Sequence, residues 1–549
     1  MLQVGILHED TNRARFCQLA ELDLAEHVSF ATLDCQSLRQ YNDQLDAQQG
    51  WHHDQVWPDL AHRQPWRIAV VEPGAAAAAA AAAGGGGGGE GAVPQDIVFS
   101  YHHSLLDGTS GRLFHEHLVE ELNQELQTRQ GAGAADAVAD PAPPATVVAL
   151  PRQAPKLPEP QESMIGFSFS PVFLAKVLWN ELAPAMLRAA KVIPWHAKPM
   201  DLALPYVTLT KPLDVPWPVA ARLVKACREH GTSVTGLTHA LTLASLAARL
   251  PAQEATSFAA STPIGLRPLL PGRGANPGAK DLLRVLVTSH AHEFSAALTA
   301  EVRRAASSPA LDRAIWKVAR RVKGELVDRL AAFPRNDVVG LMKYNSDWLG
   351  FFKKKHGQPR EVSWEVSNIG VLRNQGGGGG GRGESAAAAS PGFTVSRVYF
   401  TNGAMVTGAP VGLGVASAPG GCLTIALSWQ EGVVSGELMK GLADDLAGPQ
   451  QRQLPPRKVR WKQPHLQAQY PPPPPGYGVH KPENWKPSTR IAAVLLALRD
   501  LLVEPQPDDP LEDAIAHEYK SDRAAWEKNV RAQVGKYAMA EPVFPAVAT

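Results

Sequence analysis

The sequence predicts an α/β protein whose mixed sheets and covering helices form a large two-lobed body, followed by an appendage. Three observations lead to this fold class. Runs of alternating apolar and β-branched residues, typical of strands, recur in both halves of the 549-residue chain. Segments with apolar residues at helical spacing stand between these runs. The length would allow three or more domains, but low-complexity segments reduce the part that can fold.

In the first lobe, predicted for residues 1–130, two strand-like runs flank a tract of Ala and Gly. The runs are Trp66–Glu72 and Asp96–Tyr101, and the tract occupies residues 74–91. The alternation predicts a hairpin whose connection has been enlarged by low-complexity sequence that should itself be disordered. The next segment, Thr109–Leu126, has its leucines on one helical stripe, so the second strand leads through a short loop into a helix.

Residues 131–162 are rich in Ala, Pro and Asp and are predicted to be a linker. The second lobe, 163–448, contains a low-complexity loop at 376–390 and two helices within Pro218–Leu250. It begins with an amphipathic segment, Phe169–Ile193, for which packing on the body is favoured over lying on a membrane. Its strand runs are FAASTPIG, which ends close to Arg267, then WEVSNIGVL, FTVSRVYF and LTIALSWQ.

The charge balance and the cysteine content exclude several classes of protein. With 54 basic and 53 acidic residues the formal net charge is +1, so no global field attracts nucleic acid. The four cysteines are scattered and form neither a disulfide framework nor a CxxC metal site, which fits a reducing compartment. No secretory signal or membrane span is predicted. We therefore expect a cytoplasmic protein, with peripheral contact to a membrane or lipid surface as an alternative.

The stretch HHSLLDG, residues 102–108, is the strongest candidate for chemistry. A neutral imidazole at a strand end, here His103, is suited to take a proton from a hydroxyl that attacks a carbonyl. Asp107 would orient the loop or the ring, and Gly108 would let the backbone turn sharply. For HxxxD alone, a buried structural histidine is the more frequent outcome. His115 and His117 could complete a metal cluster with this stretch, but they lie on different faces of the predicted helix, so no metal is expected.

The full string HHxxxDG, between a strand and a helix, resembles the active-site motif of the superfamily of acyl-CoA-dependent acyltransferases and condensation domains. With LQVGILHED at the start, PIGLRPLLP, WEVSNIGVL and LTIALSWQEGVV, the chain resembles the fungal alcohol acetyltransferase branch over roughly residues 1–438. The DFGWG signature of the plant branch is missing. The resemblance implies two acyltransferase lobes, acetyl-CoA or another acyl-CoA as co-substrate, an alcohol as acceptor and no permanently bound cofactor. Since the family usually begins with a further strand and helix, Met1 would start inside the first lobe.

The resemblance also implies roles for individual residues. His103 would be the general base, with His102 packed beside it. Asp107 would form a structural salt bridge to an arginine of the second lobe, for which Arg267 is the matching position; an ordinary surface arginine is the alternative.

Three further residues belong to the segment SNIG. Ser367, Asn368 and Gly370 would lie near the reacting carbonyl, where a serine or asparagine could donate a hydrogen bond to the oxyanion. An ordinary turn at the end of a strand is the alternative.

The tail has a different character. Residues 449–484 are rich in proline, and residues 485–540 are predicted to be helical. Words such as PDDPL and KYAM resemble the C-terminal half of a ubiquitin-conjugating enzyme, with Tyr477 near the position of the catalytic cysteine. No cysteine follows Cys422, so no thioester with ubiquitin is expected. Two functions therefore stay open: an alcohol O-acyltransferase, or a catalytically dead fusion (or chimeric reading frame) that docks onto ubiquitin-pathway proteins.

Overall fold

The computed structural model of the protein describes residues 1–83, 95–131, 146–151, 157, 159–182, 193–270, 283–306, 310–373 and 392–447. Two separate hydrophobic cores within these residues define two lobes of mixed α/β structure, so the predicted fold class is confirmed for this part of the chain. The Pro-rich stretch 449–484, the predicted helices of 485–540 and the loop 376–390 lie outside the described residues.

The first lobe has a three-stranded central sheet. Strand β4 (Val28–Leu33) pairs in parallel with β5 (Trp66–Pro73), and β5 pairs antiparallel with β6 (Asp96–Tyr101), so that Trp66 lies opposite Tyr101. The predicted hairpin is present. The elements of this lobe are β1 (Val4–Leu7), β2 (Arg15–Gln18), β3 (Glu21–Asp23), α1 (Leu24–His27), β4 (Val28–Leu33), α2 (Leu38–Asp54), β5 (Trp66–Pro73), α3 (Ala75–Ala83), β6 (Asp96–Tyr101), α4 (Gly108–Gly131) and β7 (Val147–Ala149).

The second lobe is built on a six-stranded sheet of order β10-β9-β11-β12-β13-β8, in which β11 runs parallel to both β9 and β12 and the other pairs are antiparallel. Its elements are α5 (Gln161–Met164), α6 (Pro171–Leu182), β8 (Thr208–Val215), α7 (Trp217–Glu229), α8 (Val234–Arg249), β9 (Phe258–Gly265), a 3-10 helix (Arg267–Leu269), β10 (Val287–Phe294), α9 (Ala296–Ala305), α10 (Leu311–Ala332), a second 3-10 helix (Val338–Tyr344), α11 (Trp348–Lys353), β11 (Trp364–Val371), β12 (Val411–Ser417), β13 (Leu423–Gln430) and α12 (Gly436–Ala447).

Local sequence explains why the two predicted helices of Pro218–Leu250 form where they do. Helix α7 ends before Gly231, which adopts φ +67°. Helix α8 begins after Ser233, whose hydroxyl accepts a hydrogen bond from the backbone nitrogen of Gly236 at 3.2 Å. The apolar stripe of α8 then packs into the core of the second lobe beneath β11.

The predicted strand FTVSRVYF is wrong, because no strand forms in residues 392–405. This crossing segment lies over one face of the large sheet instead of pairing at an edge. Gly414 leaves room for Phe400, and Thr424 donates its hydroxyl hydrogen to the Val398 carbonyl at 2.6 Å. The segment reaches the first lobe, where Asn123 exchanges two hydrogen bonds with the backbone of Phe393 at 3.0 and 2.7 Å. It therefore joins the two lobes.

Two further predictions need correction or restriction. The prediction of disorder is wrong for the first part of the Ala/Gly tract, where Ala75–Ala83 forms helix α3, because alanine has the highest helix propensity and Ala77 is buried. Residues 84–91 of the tract lie outside the described residues. The first part of the predicted amphipathic segment forms α6, which leaves Val172, Leu178 and Trp179 exposed, and residues 183–192 lie outside the described residues. Within the described residues, the helices are too short or too polar to span a bilayer.

Candidate active site

The loop between β6 and α4 holds His103 at the surface between the lobes. On one side, the backbone nitrogen of His102 donates to the Pro65 carbonyl at 2.9 Å. On the other side, Leu105 and Leu106 are completely buried in the core of the first lobe. The His103 side chain between these anchors is exposed, and its ring makes no hydrogen bond within the described part of the chain. The fold thus fixes the backbone of His103 and leaves its imidazole available.

His102 stabilises the same loop. Its Nδ1 lies 2.7 Å from the Ser104 hydroxyl. Burial, together with the charge of the neighbouring His103, lowers the pKa of His102. His102 is therefore kept uncharged, and its Nδ1 is engaged by Ser104 beside the exposed imidazole of His103.

Asp107 is buried at the start of α4 and is fully hydrogen-bonded. Its carboxylate accepts five hydrogen bonds: two from the Arg267 guanidinium at 2.8 and 3.0 Å, two from the backbone nitrogen and hydroxyl of Ser110 at 2.8 and 2.9 Å, and one from the backbone nitrogen of Leu286 at 2.9 Å. Arg267 is only 4% exposed, and it stands in the 3-10 helix after β9. The geometry is the bidentate pairing that arginine favours, and it links the two lobes.

Gly108 is required for space and not for a special backbone conformation. Its φ is not positive, so the sharp turn expected from the sequence is not what glycine provides here. A Cβ at this position would lie 2.8 Å from Cγ2 of Ile369 and 2.8 Å from Cζ of Phe400. Both side chains belong to the second lobe, so the absence of a side chain at Gly108 allows the lobes to meet at the start of α4.

We expect Gly108→Ala to lower the free energy of unfolding by about 1 to 3 kcal/mol, the usual cost of overpacking. The matched control is Gly324→Ala in the middle of α10, where a Cβ meets nothing within 4 Å. The control should raise stability by about 0.5 to 1 kcal/mol, because alanine favours helix. Urea unfolding measures both. Equal effects of the two substitutions would show that the lobes do not touch at Gly108.

The end of β11 carries three of the predicted residues, and its Ile369 approaches Gly108 of this loop. Asn368 donates from Nδ2 to the Thr235 hydroxyl at 3.1 Å and accepts at Oδ1 from the backbone nitrogen of Gly370 at 2.9 Å. Gly370 has φ +81° at an irregularity in the pairing of β11 with β12. The Ser367 hydroxyl has no hydrogen-bond partner among the described residues. The Asn368 amide therefore shapes the turn, whereas the serine hydroxyl is available.

Glu365, on the same strand, was not selected from the sequence. Its neighbours Trp364 and Val366 are fully buried in the core, so Glu365 points to the opposite face of the sheet, towards the first lobe. The available signal was a single charged residue within an apolar strand. Ser261 of the adjacent strand donates to the Glu365 carboxylate at 2.9 Å.

A second polar cluster lies apart from His103. His290, His292 and Glu325 form the one group of three or more metal-capable side chains within the described residues, so His115 and His117 form no such group with His103 and Asp107. His292 Nδ1 lies 2.6 Å from Glu325. Helix α4 instead packs the half-buried His115 against Phe99 and Phe114, and desolvation lowers the pKa of His115 to about 4.

Hydrogen-bond direction explains this second cluster without a metal. The indole nitrogen of Trp364 can only donate, and it lies 3.0 Å from His239 Nδ1. His239 Nε2 must then carry the proton that it donates to the Thr262 hydroxyl at 2.8 Å. Thr262 donates in turn to His292 Nε2 at 2.9 Å, which leaves His292 Nδ1–H to donate to Glu325. In this assignment every donor has an acceptor, and His292 has no free lone pair for a metal.

Comparisons with known proteins agree with this architecture. The sequence profile described as "Alcohol acetyltransferase" matches residues 88–439, and the profile "Ubiquitin-conjugating enzyme" matches residues 478–534, which lie outside the described residues. The resemblances predicted for the body and for the tail are thus both confirmed. The chain is 28% identical over 447 residues to a probable alcohol acetyltransferase, FCK4, of Fusarium pseudograminearum, with 81% of each protein covered.

One solved structure is similar in fold, and a second aligns over a similar share of the chain. The trichothecene 15-O-acetyltransferase TRI3 of Fusarium sporotrichioides superposes with a TM-score of 0.51 at 11% identity, covering 81% of this chain and 83% of that one. The first condensation domain of the calcium-dependent antibiotic synthetase gives a TM-score of 0.41 at 13% identity, covering 82% and 85%.

Proposed function

The chain belongs to the alcohol acetyltransferase family and is an acyltransferase, and on this premise we propose that it transfers an acetyl group from acetyl-CoA to an alcohol hydroxyl, with His103 as the general base. The observation that carries the proposal is the imidazole of His103, which is exposed and makes no hydrogen bond among the described residues. It stands on a loop that the ion pair of Asp107 with Arg267 ties to the second lobe. Acetyl-CoA enters as a co-substrate and not as a bound cofactor.

The proposed reaction needs no covalent enzyme intermediate. His103 takes the proton of the alcohol as its oxygen attacks the thioester carbonyl carbon. The resulting oxyanion collapses, the carbon–sulfur bond breaks, and the imidazolium returns the proton to the departing thiolate of coenzyme A. The ester and free coenzyme A are the products.

We assign the oxyanion donor to Ser367 in preference to Asn368. The Asn368 amide is already held by Thr235 and Gly370, whereas the Ser367 hydroxyl makes no hydrogen bond within the described chain. A donor that is free in the resting protein can be aimed at charge that develops only in the transition state. Asn368 and Gly370 then hold the turn in which this donor stands.

The proposal is tested by supplying purified full-length protein with acetyl-CoA and a panel of small primary and secondary alcohols. The readouts are release of the coenzyme A thiol and ester formation. Thiol release that depends on the alcohol supports the proposal, and a series of acyl-CoA lengths then identifies the donor. Thiol release at the same rate with and without alcohol would indicate a thioesterase, and no release with any acyl-CoA would contradict acyl-CoA as the donor.

The tail suggests a second candidate role, as an interaction module for proteins of the ubiquitin pathway, because residues 478–534 match the ubiquitin-conjugating family. Conjugation itself requires a cysteine thiolate, and residues 423–549 contain no cysteine. We expect ubiquitin, activating enzyme and ATP to leave no reductant-sensitive adduct on the protein, and Tyr477→Cys should not create one. An adduct on the wild-type protein, visible as a band shift that dithiothreitol removes, would contradict this expectation.

A further inference from the structure

We propose that Glu365 is a positioning residue that acts through His103, by placing a carboxylate where it stabilises the imidazolium formed when His103 takes the alcohol's proton. This inference rests on the proposed function. It assigns a role to a residue that lies outside both the HHxxxDG string and the SNIG turn.

The strand pattern fixes the direction in which Glu365 points. On β11, Trp364 and Val366 enter the core of the second lobe. On β9, Phe258 and Ala260 do the same, so that Ser261 shares the opposite face with Glu365. This face is the one that meets the first lobe, because the position of a Cβ on Gly265 would lie 3.9 Å from the Thr109 hydroxyl of α4.

A hydrogen bond anchors the carboxylate on that face. Glu365 and Ser261 stand directly opposite each other in the parallel pair β9–β11. The Ser261 hydroxyl donates to Oε2 of Glu365 at 2.9 Å. Among the described residues this is the one hydrogen bond that the Glu365 carboxylate accepts, whereas Asp107 accepts five.

Geometry also brings the His103 loop to this face: Ile369, on the same face of β11 as Glu365, lies 2.8 Å from the position of a Cβ on Gly108. Burial has the largest effect and raises the pKa of Glu365 above its ordinary value, and the Ser261 hydrogen bond and the charge of His103 offset only part of this rise. Around the His103 loop and helix α4, His102 has a lowered pKa, and the charges of Asp107 and Glu116 are paired with Arg267 and Arg112.

The chemistry follows from this arrangement. When His103 receives the proton, a positive charge appears between the lobes, and an anionic carboxylate on the facing strand lowers the free energy of that charge. The carboxylate takes up no proton in the step. The proton goes from the alcohol to the imidazole and then to the thiolate of coenzyme A, as in the proposed reaction.

The test compares Glu365→Gln with Glu293→Gln, an identical chemical change at an exposed position on β10 of the same sheet. The measurement is the pH profile of kcat/KM for acetyl transfer by the full-length protein. We expect E365Q to lower the plateau by roughly tenfold and to move the acid limb to lower pH by about one unit. The sign follows because removing a negative charge makes the imidazolium less favourable, so the base form persists to lower pH. E293Q should match the wild type.

The shift of the acid limb of the pH profile distinguishes this role from a merely structural one. A structural role would lower the plateau of kcat/KM without moving the acid limb. An unmoved acid limb in E365Q, with His103→Ala inactive, overturns the role of Glu365 alone and leaves the proposed function standing. If His103→Ala retains wild-type activity, the proposed base is wrong and the role of Glu365 falls with it. Ser261→Ala, which frees the carboxylate from its anchor, should reproduce part of the loss of rate.

Discussion

His103→Ala is expected to lower the rate of ester formation by roughly 10²-fold or more, the loss typical of removing a general base. The substitution removes the imidazole from a loop whose backbone is held elsewhere, by Pro65 on one side and by the buried Leu105 and Leu106 on the other. Because the side chain is exposed and makes no hydrogen bond within the described residues, stability should hardly change. The rate is measured with saturating acetyl-CoA and the best alcohol, and stability by thermal unfolding.

The control for this substitution is His62→Ala, which removes another exposed histidine of the first lobe, 79% exposed and paired with Asp59. It should leave the rate unchanged. A His103→Ala protein that turns over at a near-normal rate would remove His103 from the mechanism.

The second large effect is expected at the bridge between Asp107 and Arg267. Removing either partner leaves an uncompensated charge in a site where the two side chains are only 7% and 5% exposed, which should cost about 3 to 5 kcal/mol of unfolding free energy. Since Asp107 also accepts from Ser110 and Leu286, Asp107→Asn should release the start of α4 as well as the second lobe. The measurement is a double-mutant cycle with Asp107→Asn and Arg267→Met, using urea unfolding.

The pair Lys317 and Glu301 provides the matched control, with side chains 59% and 42% exposed. Its cycle should give a coupling below about 1 kcal/mol, as surface ion pairs do. Losses at Asp107 and Arg267 that simply add would mean that the two side chains do not interact in solution.

Elements with a strong local pattern could be predicted from the sequence. The hairpin of β5 and β6, the helix after Gly108, the helices α7 and α8, and the strands β9, β11 and β13 all form where alternation, helical stripes and capping residues place them. The crossing segment could not be predicted in this way. The alternation in FTVSRVYF is typical of a strand, but tertiary contacts determine the conformation of this segment. The small residues Gly412 and Gly414 let the segment lie over the sheet, and side chains such as Thr424 donate hydrogen bonds to its carbonyls.

In the candidate site, too, some residues could be predicted from the sequence and others could not. The string HHxxxDG and its resemblance to a known motif led to His103, Asp107 and Arg267, which the fold brings to the contact between the lobes. The reason for Gly108 depends on Ile369 and Phe400, more than 250 positions away, and therefore could not be read locally. The role of Glu365 likewise depends on which face of β11 meets the first lobe. The role of Asn368 depends on Thr235 of helix α8, which accepts a hydrogen bond from its amide.

The central claim, that the acyl group passes directly from the thioester to an alcohol with His103 as the base, is tested most directly by a single-turnover experiment with acyl-labelled acetyl-CoA. Excess protein is mixed with the labelled donor and the alcohol, quenched at intervals, and the label is followed in the ester, in free acetate and on the protein by mass spectrometry. We expect the label to appear in the ester as coenzyme A is released, with no labelled protein at any time, and we expect His103→Ala to retain the label in acetyl-CoA. Label that accumulates on the protein before the ester forms, or ester that forms equally fast in His103→Ala, would contradict the claim.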